Sequence, residues 1–441
     1  MQRELRNLTN FGHDSSKEIV VDDIKNLSKA EQAEIIATKF AEVSQEYNEI
    51  KREDTEIPEF SDEDIPQIEE SEVVKALSEI DDSKSNVKDD VAAKFLKRFA
   101  TELGKPVTDV INSSIRQGQW PDIFKMEMVT PVPKVLPPKN VEDLRNISGL
   151  LNLDKKAEKI IAKLMISDMK KKLDPSQFAN QKGLGIQHYL VKFLDRILRA
   201  IDKNEKSAVL ATLVDWKQAF SRQCPILGVK SFIQNGVTPA LIPLLINYFQ
   251  GRQMKVKWQG EISKPRVLKG GGPQGSTFGI WEYLSQSNTN SDFISESDKF
   301  KFVDDLTFLE IIYLMNVGLA SYNSKQHIPS NVPVHNQFLP AQHLRSQKDL
   351  EKIGEWTNKQ KLNLKKTKNM IFNYSRKYKF STQLSLENED IETVKEAKLL
   401  GTVITDDLKW NKNTAAIVKK KPMEGCNYLT KKQILQTIQM I

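Results

Sequence analysis

Cysteine is nearly absent: Cys224 and Cys426 are the only two in 441 residues. Two thiols cannot build a disulfide framework or a cysteine-rich zinc site. Long apolar runs are missing as well; none reaches the ~18 residues that cross a membrane as a helix. The amino terminus, MQRELRNLTN, lacks the apolar core of a secretory signal. These absences lead us to expect an intracellular protein, nuclear or cytoplasmic, neither secreted nor membrane-bound. No internal repeat is present.

What is there suffices for a substantial core. Apolar residues make up 39% of the chain, with 19 Phe and 6 Trp, so wholesale disorder is excluded. At about 150 residues per domain the length predicts two or three domains. Charge is divided unevenly. Residues 1–90 carry 11 Lys and Arg against 25 Asp and Glu, whereas residues 91–441 carry 54 against 33. A basic body of this kind suits a polyanionic partner, because each cation placed near a phosphate releases counterions. The acidic segment would be repelled by the same partner.

The chain reads as successive zones. Residues 1–70 contain an amphipathic helix around Ser28–Tyr47, then an acidic, proline-bearing stretch read as an extended linker. A second helical zone opens near Ser71, taken as a helix cap, and runs to about residue 205. It is broken at residues 129–140, VTPVPKVLPPKN, where four prolines forbid a helix and favour extended chain. VLATLVDW (209–216) is apolar and β-branched, hence a buried strand. TPALIPLLINYFQ (238–250) reads as a helix, MKVKWQG (254–260) as a strand, and KFVDDLTFL (301–309) as strand–turn–strand.

Two of these strands end in carboxylates, at Leu213-Val214-Asp215 and at Phe302-Val303-Asp304-Asp305. A carboxylate beside β-branched residues is costly to desolvate without a compensating cation, and adjacent aspartates repel each other. Paired Mg²⁺ ions, hard cations that take oxygen ligands, would relieve both costs and suit in-line phosphoryl transfer. An Asp-Asp dipeptide is weak by itself; another stands at residues 406–407. Between the two strands lies Gly270-Gly271-Gly272-Pro273-Gln274-Gly275-Ser276, followed by TFGIWEYL. That pattern predicts a loop opening a helix whose amino terminus can meet phosphate or base. It is not a Walker loop, since no Gly-Lys-Ser/Thr follows.

The order of the pieces is more specific than any one of them. It resembles the reverse transcriptases of non-LTR (LINE-type, jockey-like) retrotransposons over residues 72–415. VTPVPK (129–134) and DLRNISGLL (143–151) resemble that family's finger motifs, and QFANQKG (177–183) the motif that follows them. LVDWKQAF (213–220) resembles motif A, GGGPQGS (270–276) motif B and FVDD (302–305) motif C. KLNLKKTKNMIF (361–372) resembles motif D and KLLGTVITDDLKW (398–410) motif E with its following strand.

The resemblance implies an α+β right-hand polymerase fold: helix-rich fingers over residues 71–205, an antiparallel-sheet palm over 206–405, and a truncated start of a thumb over 406–441. It implies an RNA-directed DNA polymerase that extends a DNA primer on an RNA template with deoxynucleoside triphosphates. Two Mg²⁺ ions would serve it, with Mn²⁺ as a substitute. It sets no oligomeric state. Asp215, Asp304 and Asp305 correspond to the metal carboxylates, and the Trp216 carbonyl stands where a further metal contact is made. Lys366 corresponds to the motif D general acid for pyrophosphate. Lys134 and Arg145 match the finger cations on the triphosphate, and Gln274 and Gly275 the contacts to nucleotide and template. Phe220 stands where an aromatic gate would clash with a ribose 2′-OH. Leu399, Leu400 and Gly401 match the primer-supporting turn.

Two positions depart from the family pattern: Asn146 stands where Pro is frequent, and Ser221 where Asp is frequent. Neither removes a metal ligand. His327, His335 and His343 are spaced by eight in a loop-rich stretch and read as surface residues, and Cys224 beside Pro225 as structural. The 70 residues before the fingers are too few for the endonuclease such elements encode, and the last 36 too few for a full thumb. The expectation is a fragment or decayed copy, with an inactive remnant that only binds RNA or RNA–DNA duplex as the alternative. RNA-directed RNA polymerases and group II intron maturases share the palm; Phe220 argues against the first and the finger motifs against the second.

Overall fold

The computed structural model describes residues 19–83, 90–203, 207–216, 219–294, 297–313, 336–362, 364, 367–375, 379–387 and 389–420. Lys366, His327, His335, Cys426 and the end of the expected thumb lie outside them. In chain order the first elements are α1 (Lys29–Glu42), α2 (Glu70–Ser78), α3 (Ala93–Arg98), α4 (Ala100–Gln117), β1 (Met126–Pro133), β2 (Leu144–Gly149), α5 (Asn152–Met169), α6 (Ile186–Lys203) and β3 (Ser207–Val214). Next come α7 (Pro225–Gln234), α8 (Ile242–Phe249), β4 (Gln253–Trp258), β5 (Glu261–Ile262), β6 (Arg266–Val267), α9 (Thr277–Asn288), β7 (Asp298–Phe302) and β8 (Asp305–Tyr313). The remainder comprises β9 (Asn336–Phe338), α10 (Arg345–Lys359), β10 (Lys368–Phe372), β11 (Lys379–Ser381), β12 (Ser385–Leu386), β13 (Glu389–Asp390), β14 (Glu392–Thr393), β15 (Glu396–Leu399), β16 (Thr402–Thr405) and α11 (Asn411–Lys420). The class is mixed α and β, as expected in coarse form. Among the described residues no helix is long and apolar enough to cross a membrane.

The chain forms two compact units built from alternating segments. One takes residues 1–173 and 218–289, the other 174–217 and 290–441. In the first unit, β1 pairs antiparallel with β2 and parallel with β4. Pairing with β4 stops at Val129. Pro131 and Pro133 lie beyond it, where β1 has only β2 as a neighbour, so their missing N–H groups break no second ladder. Helix α1 is closed by a capping box between Ser28 and Glu31. It buries Ala33, Ile36 and Ala37 in one cluster with Val129, Val256 and Trp258 of the sheet.

Two sequence expectations change here. Residues 51–69 are neither extended throughout nor a detached linker: they hold two single 3-10 turns, Arg52–Asp54 and Asp62–Asp64, Ile50 and Ile68 are buried, and Ile57 and Ile65 pack on the helical core of the first unit. The apolar content of that segment outweighs its acidity. Helix α2 begins at Glu70, so Ser71 lies within its first turn and is not the cap.

The second unit carries a five-stranded sheet in the order β14-β10-β3-β8-β7. Its central strand β3 is buried along nearly all its length, as the apolar run predicts. All pairings except that of β10 with β14 are antiparallel. Residues 174–178 lie along β7: Lys301 donates its backbone N–H to Ser176 O (2.9 Å), and Phe178 donates to Lys301 O (2.9 Å). The Lys301 ammonium is 2.8 Å from Asp174 Oδ2, with the two side chains only 2% and 4% exposed. A buried ion pair of this kind is costly to break one-sidedly, because the survivor keeps an uncompensated charge. Lys301→Met is expected to destabilise the chain by about 3–5 kcal/mol in urea unfolding, with most of the loss recovered when Asp174→Leu is added.

Candidate active site

Strand β3 ends at Val214, which pairs with Leu306 of β8. One step further along this register, Asp215 comes level with Asp305. Asp305 opens β8, and Phe302, the last residue of β7, pairs with it across the two-residue turn Val303-Asp304. The strand–turn–strand reading of KFVDDLTFL is therefore borne out, and three carboxylates gather at one end of the sheet. Burial pushes the Asp305 carboxyl up to about 7, and the neighbouring Asp304 and Asp215 add to the rise. The turn is strained. Val303 has φ of 57°, the positive first central position that a II′ turn ordinarily gives to glycine.

A cavity of about 430 Å³ adjoins these residues, lined among others by Asp215, Asp305, Lys368, Lys398 and Leu399. Leu399 closes β15, and the β15–β16 hairpin turns through Leu400 (φ 49°) and Gly401 (φ 86°). Both central residues being left-handed is the I′ pattern, whose twist matches paired strands. The structure thus brings Leu399 to the same cavity as two of the three aspartates. Lys366 of the same expected set lies outside the described residues. Among the described residues no three His, Cys, Asp or Glu side chains form a ready-made metal cage.

Trp216, next to Asp215, bridges Leu364 within the second unit, and the other expected site residues are in the first unit. Phe220 packs its ring on Tyr283 of α9, with centroids 5.1 Å apart. The Gly-rich loop turns back on the segment holding Phe220: Gly272 donates its N–H to Phe220 O (3.2 Å) and Gly271 to Gln223 O (2.8 Å). Gly271 has φ of 81°, and a Cβ there would stand 2.9 Å from Ser221 O, so glycine is required twice over. Ser148 of β2 donates its N–H to Gln274 O (2.9 Å), and Gln274 Nε2 reaches Ser221 Oγ at 3.3 Å. The hydroxyl of Ser221, where the family pattern has Asp, is thus engaged by the Gln274 amide. Gly275 approaches Ser148 O so closely that a Cβ would lie 3.1 Å from it. Ser276 caps α9 through Gly279 N–H, as the loop-to-helix pattern predicts. Lys134 extends its ammonium to Glu142 O (2.6 Å), and Arg145 is exposed on β2 opposite Val132. Cys224 is buried at the residue before α7.

Sequence reasoning passed over several buried polar residues around this loop. Glu158 accepts from the backbone N–H of Thr277 (2.6 Å) and from the Tyr248 hydroxyl (2.5 Å), tying α5 to the start of α9. Glu127 accepts from Ser148 Oγ (2.7 Å) and pairs with the buried Arg252 at 3.1 Å. Glu282 is fully buried on α9 against Gly228, with no hydrogen-bond partner for either carboxyl oxygen. Burial alone lifts its carboxyl to about 8. The only hint in the sequence is a Glu inside the otherwise apolar TFGIWEYL.

No protein-family model matches the chain. Among curated proteins it is 28% identical over 218 residues to "Probable RNA-directed DNA polymerase from transposon BS" of Drosophila melanogaster, covering 49% of this chain and 24% of that protein. It is 26% identical over 267 residues to "Probable RNA-directed DNA polymerase from transposon X-element" of the same species, covering 58% and 29%. It is 26% identical over 174 residues to "RNA-directed DNA polymerase from mobile element jockey" of Drosophila funebris, covering 38% and 19%. The chain thus spans about a quarter of the length of these relatives. They are the class of protein that the ordered motifs resemble, and the resemblance read from sequence is borne out.

The state of Glu282 has a measurable consequence. Its folded value of about 8 lies above the unfolded carboxylate value of about 4.3, so the folded chain binds the extra proton. Its effect on stability is nil well below pH 4, grows as a cost while pH rises from 4 to 8, and persists above. Glu282→Gln is expected to equal the parent in urea unfolding at pH 4 and to exceed it by a few kcal/mol at pH 9.

Proposed function

We propose that the chain is the polymerase portion of a non-LTR reverse transcriptase. It joins a deoxynucleotide to a DNA primer on an RNA template. The observation that carries this reading is the gathering of Asp215, Asp304 and Asp305 at the end of two paired strands, with the Asp305 carboxyl pushed up to about 7. Negative charge concentrated there asks for a cation. Mg²⁺ is ordinarily held by one or two carboxylates and completes its shell with water and substrate phosphates, not by an all-protein cage. A site with three aspartates and no preassembled cage fits that habit. Mn²⁺, also an oxygen-seeking ion, would substitute.

In this reading residues 71–205 supply the fingers and residues 206–405 the palm. Asp215 and Asp304 would hold the divalent ions, with Asp305 tuning the charge beside them, and the ions when bound would supply neutralisation of the charge that develops in phosphoryl transfer. The primer 3′-hydroxyl gives up its proton to water as its oxygen forms the new bond to the α-phosphorus, and the bond from that phosphorus to pyrophosphate breaks. Lys366 donates a proton to the departing pyrophosphate. Lys134 and Arg145 hold the triphosphate, Arg145 through a fork suited to two phosphate oxygens. Phe220 excludes the ribose 2′-OH, Gln274 and Gly275 meet nucleotide and template, and Leu399, Leu400 and Gly401 support the primer. The basic balance of residues 91–441 supports binding of a nucleic-acid duplex.

Primer extension on an RNA template with Mg²⁺ and deoxynucleotides tests the reading. Asp215→Asn and Asp304→Asn are each expected to lower the rate by about 10³-fold or more, while duplex binding in a gel shift stays close to the parent. A parent that binds duplex but extends no primer would replace this reading with that of an inactive binding remnant. Phe220→Val is expected to raise ribonucleotide incorporation by about tenfold or more relative to deoxynucleotide. Unchanged sugar selection would remove Phe220 from the gate.

A further inference from the structure

We propose that Gln177 is a positioning residue for the turn that carries Asp304. The inference rests on the reading of the aspartates as a polymerase metal site. Gln177 is buried, at 6% exposure. Its side-chain oxygen accepts the backbone N–H of Val303 at 3.1 Å and that of Ala179 at 3.1 Å. Both partners are donors, so the amide oxygen must face them, and its two lone pairs are both used.

The segment bearing Gln177 is itself anchored. Ser176 and Phe178 bond the backbone of Lys301 on either side of it. The buried pair of Asp174 with the Lys301 ammonium holds its start. The Gln181 side chain donates to Gln177 O at 2.5 Å. A short length of chain locked to β7 therefore extends one side chain to the turn at the end of that strand.

That turn needs holding. Val303 sits at φ 57°, where a β-branched residue is disfavoured, and such a conformation persists only when its surroundings over-determine it. Without the bond from Gln177, the peptide between Phe302 and Val303 is free to turn, so that Val303 relaxes toward negative φ and the Asp304 carboxylate moves with the turn. Groups that orient a metal-binding carboxylate without touching the metal typically alter metal affinity by 10–100-fold when removed. An amide oxygen also performs this task without adding a fourth negative charge beside Asp215, Asp304 and Asp305.

The test uses the full chain as parent, Gln177→Met, Val303→Gly and the double variant. Methionine keeps the approximate volume and removes the acceptor. Glycine adopts positive φ without strain, so the turn no longer depends on its clamp. Hydrogen exchange is followed in the peptide spanning residues 298–306, and Mn²⁺ affinity is measured by electron paramagnetic resonance. Gln177→Met is expected to speed exchange at the turn and to weaken Mn²⁺ binding about tenfold. Val303→Gly should stay near the parent, and the double variant should return to within about threefold of it. If methionine disturbs folding, Gln177→Asn withdraws the same group by one methylene and should give the same tenfold loss. Unchanged exchange or Mn²⁺ affinity in the Gln177 variants would overturn the inference. So would a double variant as weak as Gln177→Met, since the loss would then come from packing. A parent that neither binds Mn²⁺ nor extends a primer would bring down the polymerase reading and this inference with it, and that outcome is visible in the parent alone.

Discussion

Mutual repulsion among three carboxylates at the end of one sheet is the constraint on which the second unit depends. Asp215, Asp304 and Asp305 come together because β3 and β8 pair in a register that leaves their ends level. Burial of Asp305, with Asp304 and Asp215 beside it, makes its charged form unfavourable, so that its carboxyl rises to about 7. An arrangement of this cost needs rigid support. It has a central strand buried along nearly its whole length, a tight turn, and a flanking segment locked by the buried pair of Asp174 and Lys301. The strain is placed at the turn itself, in Val303, beside the carboxylates and not in the body of the sheet.

The first unit meets a related difficulty with different means. Its Gly-rich loop runs so close to other backbone that side chains at Gly271 and Gly275 would collide. A loop this tight exposes polar backbone groups to the interior, and each needs a partner. Ser148 and Glu158 supply bonds at the two sides of Ser276, and each is in turn held by buried polar neighbours, Glu127 and Tyr248. Glu282 has no such support: it is a buried carboxyl with no hydrogen-bond partner, kept neutral by desolvation beneath the loop. Neutral, it can lie against glycine backbone at moderate cost; ionised, it could not.

Local pattern carried much of this architecture. The apolar β-branched run before Asp215, the hairpin around Val303-Asp304 and the loop-to-helix transition at Ser276 were legible because each depends on neighbouring residues. The prolines at 131, 133, 137 and 138 excluded a helix for the same reason. The ordered motifs also singled out Asp215, Asp304 and Asp305, which the register of β3 and β8 then places at one end of the sheet. What sequence did not disclose depends on chain crossing between units. The acidic look of residues 51–69 hid the isoleucines that anchor them, since burial is decided by what lies opposite. Gln177, Glu158 and Glu282 act through partners distant in sequence, such as Val303, Thr277 and Gly228, and no spacing rule reaches that far.

In the polymerase reading proposed above, Asp215, Asp304 and Asp305 hold charge that a divalent ion relieves. The most direct test is to label the aspartate carboxyl carbons with ¹³C and titrate them by NMR, without and with Mg²⁺. One carboxyl, removed from the spectrum by Asp305→Asn, is expected to titrate near 7 in the absence of metal and to fall toward the ordinary aspartate range when Mg²⁺ is added. Three carboxyls that all titrate in the ordinary range, and that Mg²⁺ leaves unmoved, would contradict it.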